Sequence, residues 1–206
     1  MNIVITADLN TNLLYSENLI KFHKLWYGLD GLGLYIDKNL IKTNPKENVS
    51  FRSIFYQAND FIKGNNVFKS LLSSSFFTGN IGENYCTIDI LTIKSISNVK
   101  SLLKKYACKN LGIEFLLSDI KYYDNNSLGK WFSDIKWIYE LCKKYNAQFI
   151  LSSGACSYCE LVSLRVFNII LEKIGIQKKK YWLELSTWLN EKQGVFSYYD
   201  SNKKKV

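Results

Sequence analysis

The stretch Phe149-Ile150-Leu151-Ser152-Ser153-Gly154-Ala155 carries most of the information about the fold. It is a short apolar run that ends in two hydroxyl side chains and a glycine. One amphipathic pattern, Trp131 to Tyr145, precedes it, and a second, Leu161 to Ile174, follows it. Helix, buried strand, small-residue turn and helix is the order typical of an α/β protein. The turn after such a strand is a common place for a ligand to meet backbone amides, but a tight strand-to-helix connection explains the same residues.

Similar patterns extend along the rest of the chain. The predicted strands are Ile3–Ala7, Leu32–Ile36, Cys86–Leu91 and Leu111–Leu117, and the further predicted helices are Tyr15–Leu25, Val49–Ile62, Ile96–Tyr106 and Leu183–Leu189. Parallel neighbouring strands need crossover connections, which helices provide, so this alternation predicts a parallel sheet. Periodicity alone does not decide whether that sheet is open or closed into a barrel.

The composition favours a soluble protein with a polyanionic partner. The 206 residues carry 27 basic and 18 acidic side chains, a formal net charge of +9. Four of the nine excess charges lie in residues 177–206, where seven lysines face three acids. Lysine is suited to phosphate contacts that do not read sequence. A solvated surface with no specific partner would have the same charge.

The cysteine pattern indicates a reducing compartment. Five cysteines, an odd number, are scattered along the chain, and the first eight residues lack the pattern of a secretory signal. We therefore expect a cytoplasmic protein without a membrane span. We expect one domain over residues 1–200 and a basic tail over residues 201–206.

Few residues suggest catalysis. His23 is the sole histidine and lies in a helical pattern, so we interpret it as structural. Cys156 and Cys159 form a lone Cys-x-x-Cys, which is too few ligands for a zinc site and is read here as incidental. Asp89 and Glu114 lie in apolar strands and could bind magnesium together, but hydrogen bonds to a loop or a buried lysine explain them better.

The carboxyl-terminal half resembles a known family. The succession Ile88-Asp89-Ile90-Leu91, Leu111-Gly112-Ile113-Glu114-Phe115, Ala147 to Ala155, Glu160-Leu161 and Ile174-Gly175-Ile176 is similar to ribonuclease P protein component 3, an archaeal family related to a eukaryotic nuclear RNase P subunit. The resemblance runs from about Tyr85 to Leu189. The first eighty residues match only loosely.

The resemblance implies a single-domain α/β fold, a TIM-like barrel of alternating strands and helices. It also implies a protein subunit of the ribonucleoprotein nuclease that removes 5′ leaders from precursor tRNA. The expected partners are the RNase P RNA, protein component 2 and, through the holoenzyme, precursor tRNA. No catalytic residue, metal site or cofactor is expected in this chain, because the RNA subunit holds the catalytic magnesium ions.

The residues expected to bind RNA follow from the same resemblance. They are the turn residues Ser152, Ser153 and Gly154, with cationic support from Lys143, Lys144, Arg165, Lys178, Lys179 and Lys180. The chain departs from the family after the Ser-Ser-Gly-Ala turn. Cys156 stands where the family has a basic residue, and Leu161 to Leu164 replaces a Leu-Arg-Ser-Pro motif. We therefore expect the next helix to start at Ser163 or an adjacent cap.

Two other functions stay open. A metal-dependent hydrolase on a related barrel could use Asp8, Asp89 and Glu114, although it would lack the His-x-His motif that such enzymes have near the first strand. A protein-binding scaffold would use exposed aromatic residues as its partner surface.

Overall fold

A computed structural model describes residues 6–11, 13, 17–36, 49–55, 67–73, 89–93, 99–106, 111–124 and 127–203 of the chain. The strands are β1 (Ala7–Thr11), β2 (Gly31–Ile36), β3 (Val49–Phe55), β4 (Val67–Ser73), β5 (Ile90–Ile93), β6 (Gly112–Leu116) and β7 (Gln148–Ser152). The α-helices are α1 (Glu17–Phe22), α2 (Val99–Tyr106), α3 (Leu128–Lys144), α4 (Leu164–Lys173) and α5 (Lys178–Lys203). A π-helical turn, His23–Tyr27, continues α1, and 3-10 turns lie at Leu117–Tyr122 and Tyr158–Glu160.

The seven described strands lie in one mixed sheet in chain order. Strand β1 is parallel to β2, and β4, β5, β6 and β7 are parallel to one another. Strand β3 is antiparallel to both of its neighbours. The α/β class is thus confirmed, but the steady alternation of parallel strands and helices is wrong in the first half of the chain.

The expected TIM-like barrel is also wrong. Among the described residues, β1 and the segment after β7 share one isolated bridge, between Thr11 and Ala155, in place of a strand ladder. The backbone N–H of Gln148 donates to Leu111 on the β6 side, so the N–H of Leu151 faces the opposite edge of β7. There it donates to the hydroxyl of Tyr181 in α5, at 2.9 Å. A helix side chain therefore takes the position where a closed barrel would place the next strand.

The helices pack mainly against the second half of the sheet. On β6, Ile113 and Phe115 alternate with Gly112 and Glu114. The ring centroids of Phe115 and of Trp131 in α3 are 6.0 Å apart. On the other face a Cβ atom at Gly112 would lie 2.5 Å from the Ile150 terminal methyl and 3.0 Å from the Trp188 ring, so a larger residue would force these side chains of β7 and α5 to shift. One large apolar cluster joins β5, β6 and β7 to helices α2 to α5, and a smaller one contains Leu19, Leu32 and Leu161.

Several element predictions can be compared with the described residues. Helix α4 begins at Ser163, whose hydroxyl accepts the N–H of Val166, so the expected cap is confirmed. The chain leaves α4 through Gly175 with φ of 77°, as expected for a helix-ending glycine. The predicted helix Val49–Ile62 is wrong for Val49–Phe55, which is a strand, and its remainder lies outside the described residues. The limits 1–200 and 201–206 for the domain and the tail stay predictions.

Candidate functional site

The turn that follows β7 packs closely against Ser118, just after β6. Gly154 has φ of 67°, and a Cβ atom there would collide with the hydroxyl of Ser118. The N–H of Ser118 donates to the carbonyl of Ser153 at 2.9 Å, which ties the turn to the end of β6. Ser152 and Ser153 are both buried. The two hydroxyls predicted to meet phosphate therefore face the interior, and Gly154 is the partly exposed member of the predicted trio.

A buried carboxylate organises the polar residues behind this turn. Glu114 accepts a hydrogen bond from the Thr92 hydroxyl at 2.5 Å and another from the Ser152 hydroxyl at 2.8 Å. The parallel register produces this arrangement, because Thr92 is directly opposite Glu114, and Ser152 lies two residues beyond Ile150, the opposite residue on β7. Hydrogen bonds to both carboxylate oxygens offset the cost of burying the charge. These contacts agree with the interpretation of Glu114 as a hydrogen-bonded structural acid.

A second buried acid lies nearby on β1. Asp8 accepts the backbone N–H of Ser153 through Oδ1 at 3.0 Å. Burial raises the pKa of the Tyr181 phenol, and the negative charges of Asp8 and Glu114 raise it further. Both acids thus act on one phenol, whose hydroxyl also accepts the Leu151 N–H at the edge of β7. We call Asp8, Thr92, Glu114, Ser152, Ser153 and Tyr181 the buried polar cluster.

The third acid of the hydrolase hypothesis lies elsewhere. Asp89 precedes β5 and forms an ion pair with Lys192 of α5 at 3.0 Å, with both side chains largely buried. Lys192 is eleven residues beyond Tyr181 in one helix, a separation of about 16 Å along the helix axis. The charges of Asp8 and Glu114 therefore both act on Tyr181, whereas Asp89 pairs with a lysine eleven residues further along α5. Within the described ranges no group of three or more His, Cys, Asp or Glu side chains is arranged to hold a metal ion.

Five of the six predicted cationic residues lie at two helix ends. Lys143 and Lys144 occupy the last turn of α3, and Lys178, Lys179 and Lys180 begin α5; all five are exposed. Lys143 lies over the Tyr139 ring at 4.9 Å. Burial and the charges of Glu184 and Glu140 raise the pKa of Tyr139, which places residues of α3 and α5 around one phenol. We call these five lysines the basic surface.

Two of the lysines of the basic surface form ion pairs with acids of their own helices. Glu140 pairs with Lys143 at 3.9 Å, and Glu184 pairs with Lys180 at 3.8 Å. These are exposed pairs that water screens, so they hold the lysines weakly. Arg165 is exposed in the first turn of α4, a different helix start. Five of the six predicted cationic residues therefore lie at the end of α3 or the start of α5, with Lys143 over Tyr139, and the arginine lies on α4.

The histidine and the cysteine pair, which the sequence analysis set aside as non-catalytic, lie outside the buried polar cluster. His23 is buried and stacked on Tyr27 with ring centroids 5.7 Å apart, and burial lowers its pKa to about 4. Cys156 and Cys159 are exposed free thiols near the turn. Sequence reasoning missed Thr92, Tyr181 and Lys192. Nothing in the sequence singles them out, because their roles depend on strand register and on where α5 crosses the sheet.

Comparison with solved structures finds similarity, and comparison with family models and curated proteins does not. No family model and no curated protein matches the sequence. Among solved structures, a chain in the cryo-EM structure of archaeal ribonuclease P with mature tRNA aligns with a TM-score of 0.46 and 13% identity, over 55% of this chain and 50% of that chain. The alignment thus spans about half of each chain, and the function is argued below from this chain's own residues. In the described part of the chain, no helix combines the length and the apolar character that crossing a membrane requires.

Proposed function

We propose that this chain is an RNA-binding protein subunit of a tRNA-processing ribonucleoprotein of the ribonuclease P type. In this proposal the chain corresponds to protein component 3 of RNase P and acts with the RNase P RNA and protein component 2 on precursor tRNA. The chain supports the RNA and supplies no catalytic group or cofactor of its own, and the RNA subunit holds the magnesium ions. The sequence resemblance over Tyr85–Leu189 motivates this choice.

The observation that carries the proposal is the basic surface. Its five exposed lysines lie at the end of α3 and the start of α5; Lys143 lies over the Tyr139 ring, and the charge of Glu184 in α5 also acts on that phenol. An ammonium group on a flexible stem suits the phosphate backbone, where it contributes affinity without reading sequence. The N–H groups at the start of α5 add positive potential beside Lys178 and Lys179. The strong net charge of +9 would further attract a polyanion.

The contacts of the acids favour this proposal over the hydrolase. The Asp89 carboxylate is neutralised by Lys192, and Glu114 accepts two hydroxyl donors. A hydrolytic metal site needs convergent ligands with an open coordination position. To bind a metal, Glu114 would have to give up both hydrogen bonds and Asp89 would have to give up its ion pair with Lys192. We therefore interpret the buried polar cluster as the structural support of the turn after β7.

Reconstitution tests the role in tRNA processing. Precursor-tRNA cleavage is measured with the RNase P RNA and component 2 at limiting magnesium, with and without this chain. We expect stimulation, because the lysines would lower the amount of magnesium needed to neutralise the RNA. Absence of stimulation together with absence of RNA binding would contradict the proposal.

A charge-reversal pair locates the RNA contact. Lys178→Glu/Lys179→Glu changes the basic surface, and Lys100→Glu/Lys104→Glu changes the same number of exposed charges on α2. Glutamate is compatible with the first turn of α5, so the first variant should fold. We expect the first variant to reduce the slope of log Kd against log salt by about two or more, and the α2 variant to change it less. Equal effects would mean that only net charge matters.

A further inference from the structure

An aromatic face lies exposed where α1 continues into the π-helical turn. It consists of Phe22, Trp26, Tyr27 and Tyr158, and the exposed fractions are 41% for Phe22, 69% for Trp26 and 52% for Tyr158. Three of the rings are contiguous: Phe22 lies 6.1 Å from Trp26 and 5.8 Å from Tyr27, measured between centroids. So much exposed aromatic surface is costly in water, and it typically marks a binding site.

The exposed rings lie on the outward side of this helical segment. Leu19, His23 and Tyr27 turn inward at a spacing of four residues, and Lys24, Leu25 and Trp26 between them are exposed. His23 is the buried residue of the turn and stacks on Tyr27 at an interplanar angle of 18°. The turn ends at Gly28, whose N–H donates to the Lys24 carbonyl. The exposed rings therefore project from a base anchored in the interior.

The aromatic face adjoins the turn that sequence analysis singled out for RNA. The Tyr27 hydroxyl donates to the carbonyl of Tyr158 at 3.4 Å, which links the π-helical turn to the segment just after Gly154. The Glu160 carboxylate in that segment accepts the N–H of Cys156 at 2.7 Å and so turns toward the backbone.

Two basic residues flank the rings of α1 and the π-helical turn. Lys24 lies within the π-helical turn and Lys21 precedes Phe22, and both lysines are exposed. Across α1 and the π-helical turn, the sequence contains one acid, Glu17, at the first position of α1. The aromatic face therefore combines stacking surfaces with adjacent positive charge.

We propose that the aromatic face binds unpaired RNA bases by stacking, with Trp26 as the main platform and Lys24 as a phosphate contact. The inference rests on the proposed function and names the part of the RNA that this chain would hold. Bases stack on aromatic rings in a sequence-tolerant way, because every base has a π face. Rings flanked by lysines fit this ligand better than they fit an apolar protein surface.

Binding of a short fluorescein-labelled oligouridylate to the full chain tests the inference. Trp26→Ala removes the platform, and Trp137→Ala is the matched control, since Trp137 is a 41% exposed tryptophan on α3. We expect Kd for the oligonucleotide to rise about 5- to 100-fold for Trp26→Ala and less than about twofold for the control. An RNA duplex of equal charge should lose much less affinity, because its bases are already stacked.

The outcomes separate this inference from the function on which it rests. If Trp26→Ala binds the oligonucleotide as wild type does while Lys178→Glu/Lys179→Glu binds weakly, the stacking role is refuted and the RNA-binding function stands. If the wild-type chain binds neither RNA at low salt, the proposed function itself fails. Unchanged RNA affinity with an altered oligomeric state of Trp26→Ala would reassign the face to protein contact and overturn the inference. Circular dichroism verifies that both variants are folded.

Discussion

Removing one oxygen from Tyr181 should destabilise the chain measurably. The Tyr181 ring is buried, and its hydroxyl accepts the N–H of Leu151 on the free edge of β7. In Tyr181→Phe the ring can keep its contacts with Phe149 and Trp182, at 6.1 and 4.9 Å between centroids. The loss is therefore confined to the hydroxyl, and a buried N–H is left without its acceptor.

The magnitude follows from this unmet donor. A buried N–H without an acceptor costs about 1–3 kcal/mol of unfolding free energy. With a urea slope of about 2 kcal/mol per molar, the unfolding midpoint should fall by about 0.5–1.5 M at unchanged slope. Equilibrium urea unfolding followed by circular dichroism measures both quantities.

Tyr139→Phe is the matched control for Tyr181→Phe. It makes the same chemical change on a buried ring that also contacts Phe149, at 5.6 Å, and leaves the Leu151 hydrogen bond intact. We expect it to change stability by less than about 0.5 kcal/mol. Equal midpoints for the two variants would refute the idea that the phenol takes the place of a neighbouring strand.

Three further predictions concern stability. Gly154→Ala should cost about 1–3 kcal/mol, because φ is 67° and the new methyl group meets Ser118, whereas Gly129→Ala in open space on α3 should be neutral or stabilising; thermal melts compare the two. Lys192→Met should cost about 2–4 kcal/mol, because the 11% exposed Asp89 loses its ammonium partner, and a combined Asp89→Asn change should recover part of this in urea unfolding. His23 has its pKa lowered from 6.5 to about 4, so the unfolded chain binds the proton first and stability falls as pH drops from about 6.5 toward 4, by up to about 3 kcal/mol. His23→Phe should reduce this loss, and an unchanged stability profile against pH would contradict the assignment.

The agreement between sequence and structure is best where patterns are local. The helix over Trp131 to Tyr145 and the strand at Phe149 to Leu151 correspond to α3 and β7, because 3.6-residue and short apolar patterns act within one element. Ser163 and Gly175 mark the ends of α4 through their own backbone and side-chain preferences. The segment Val49–Phe55 fits a helix by its apolar spacing, yet it pairs with β2 and β4. Long-range pairing overrides local propensity there.

The last helix, α5, also could be predicted only in part. Its apolar part, Leu183 to Leu189, was predictable, but α5 extends over Lys178–Lys203. Its position across the sheet places Tyr181 against β7 and Lys192 against Asp89. Neither contact has a signal in the sequence, since the partners are 30 and 103 residues apart.

The sequence by itself determined the α/β class, the positive charge and the glycines and caps at turns, because these depend on composition and on neighbouring residues. Only the tertiary structure decided that the sheet is mixed and stays unclosed, that Ser152 and Ser153 are buried near Glu114, and that Lys143 of α3 and Glu184 of α5 both act on the Tyr139 phenol. The physical reason is that strand order, register and helix placement depend on which distant groups satisfy each buried hydrogen bond and apolar face. In this chain the N–H groups of Leu151 and Ser153 donate to the Tyr181 hydroxyl and the Asp8 carboxylate. In a closed barrel a neighbouring strand would accept such hydrogen bonds.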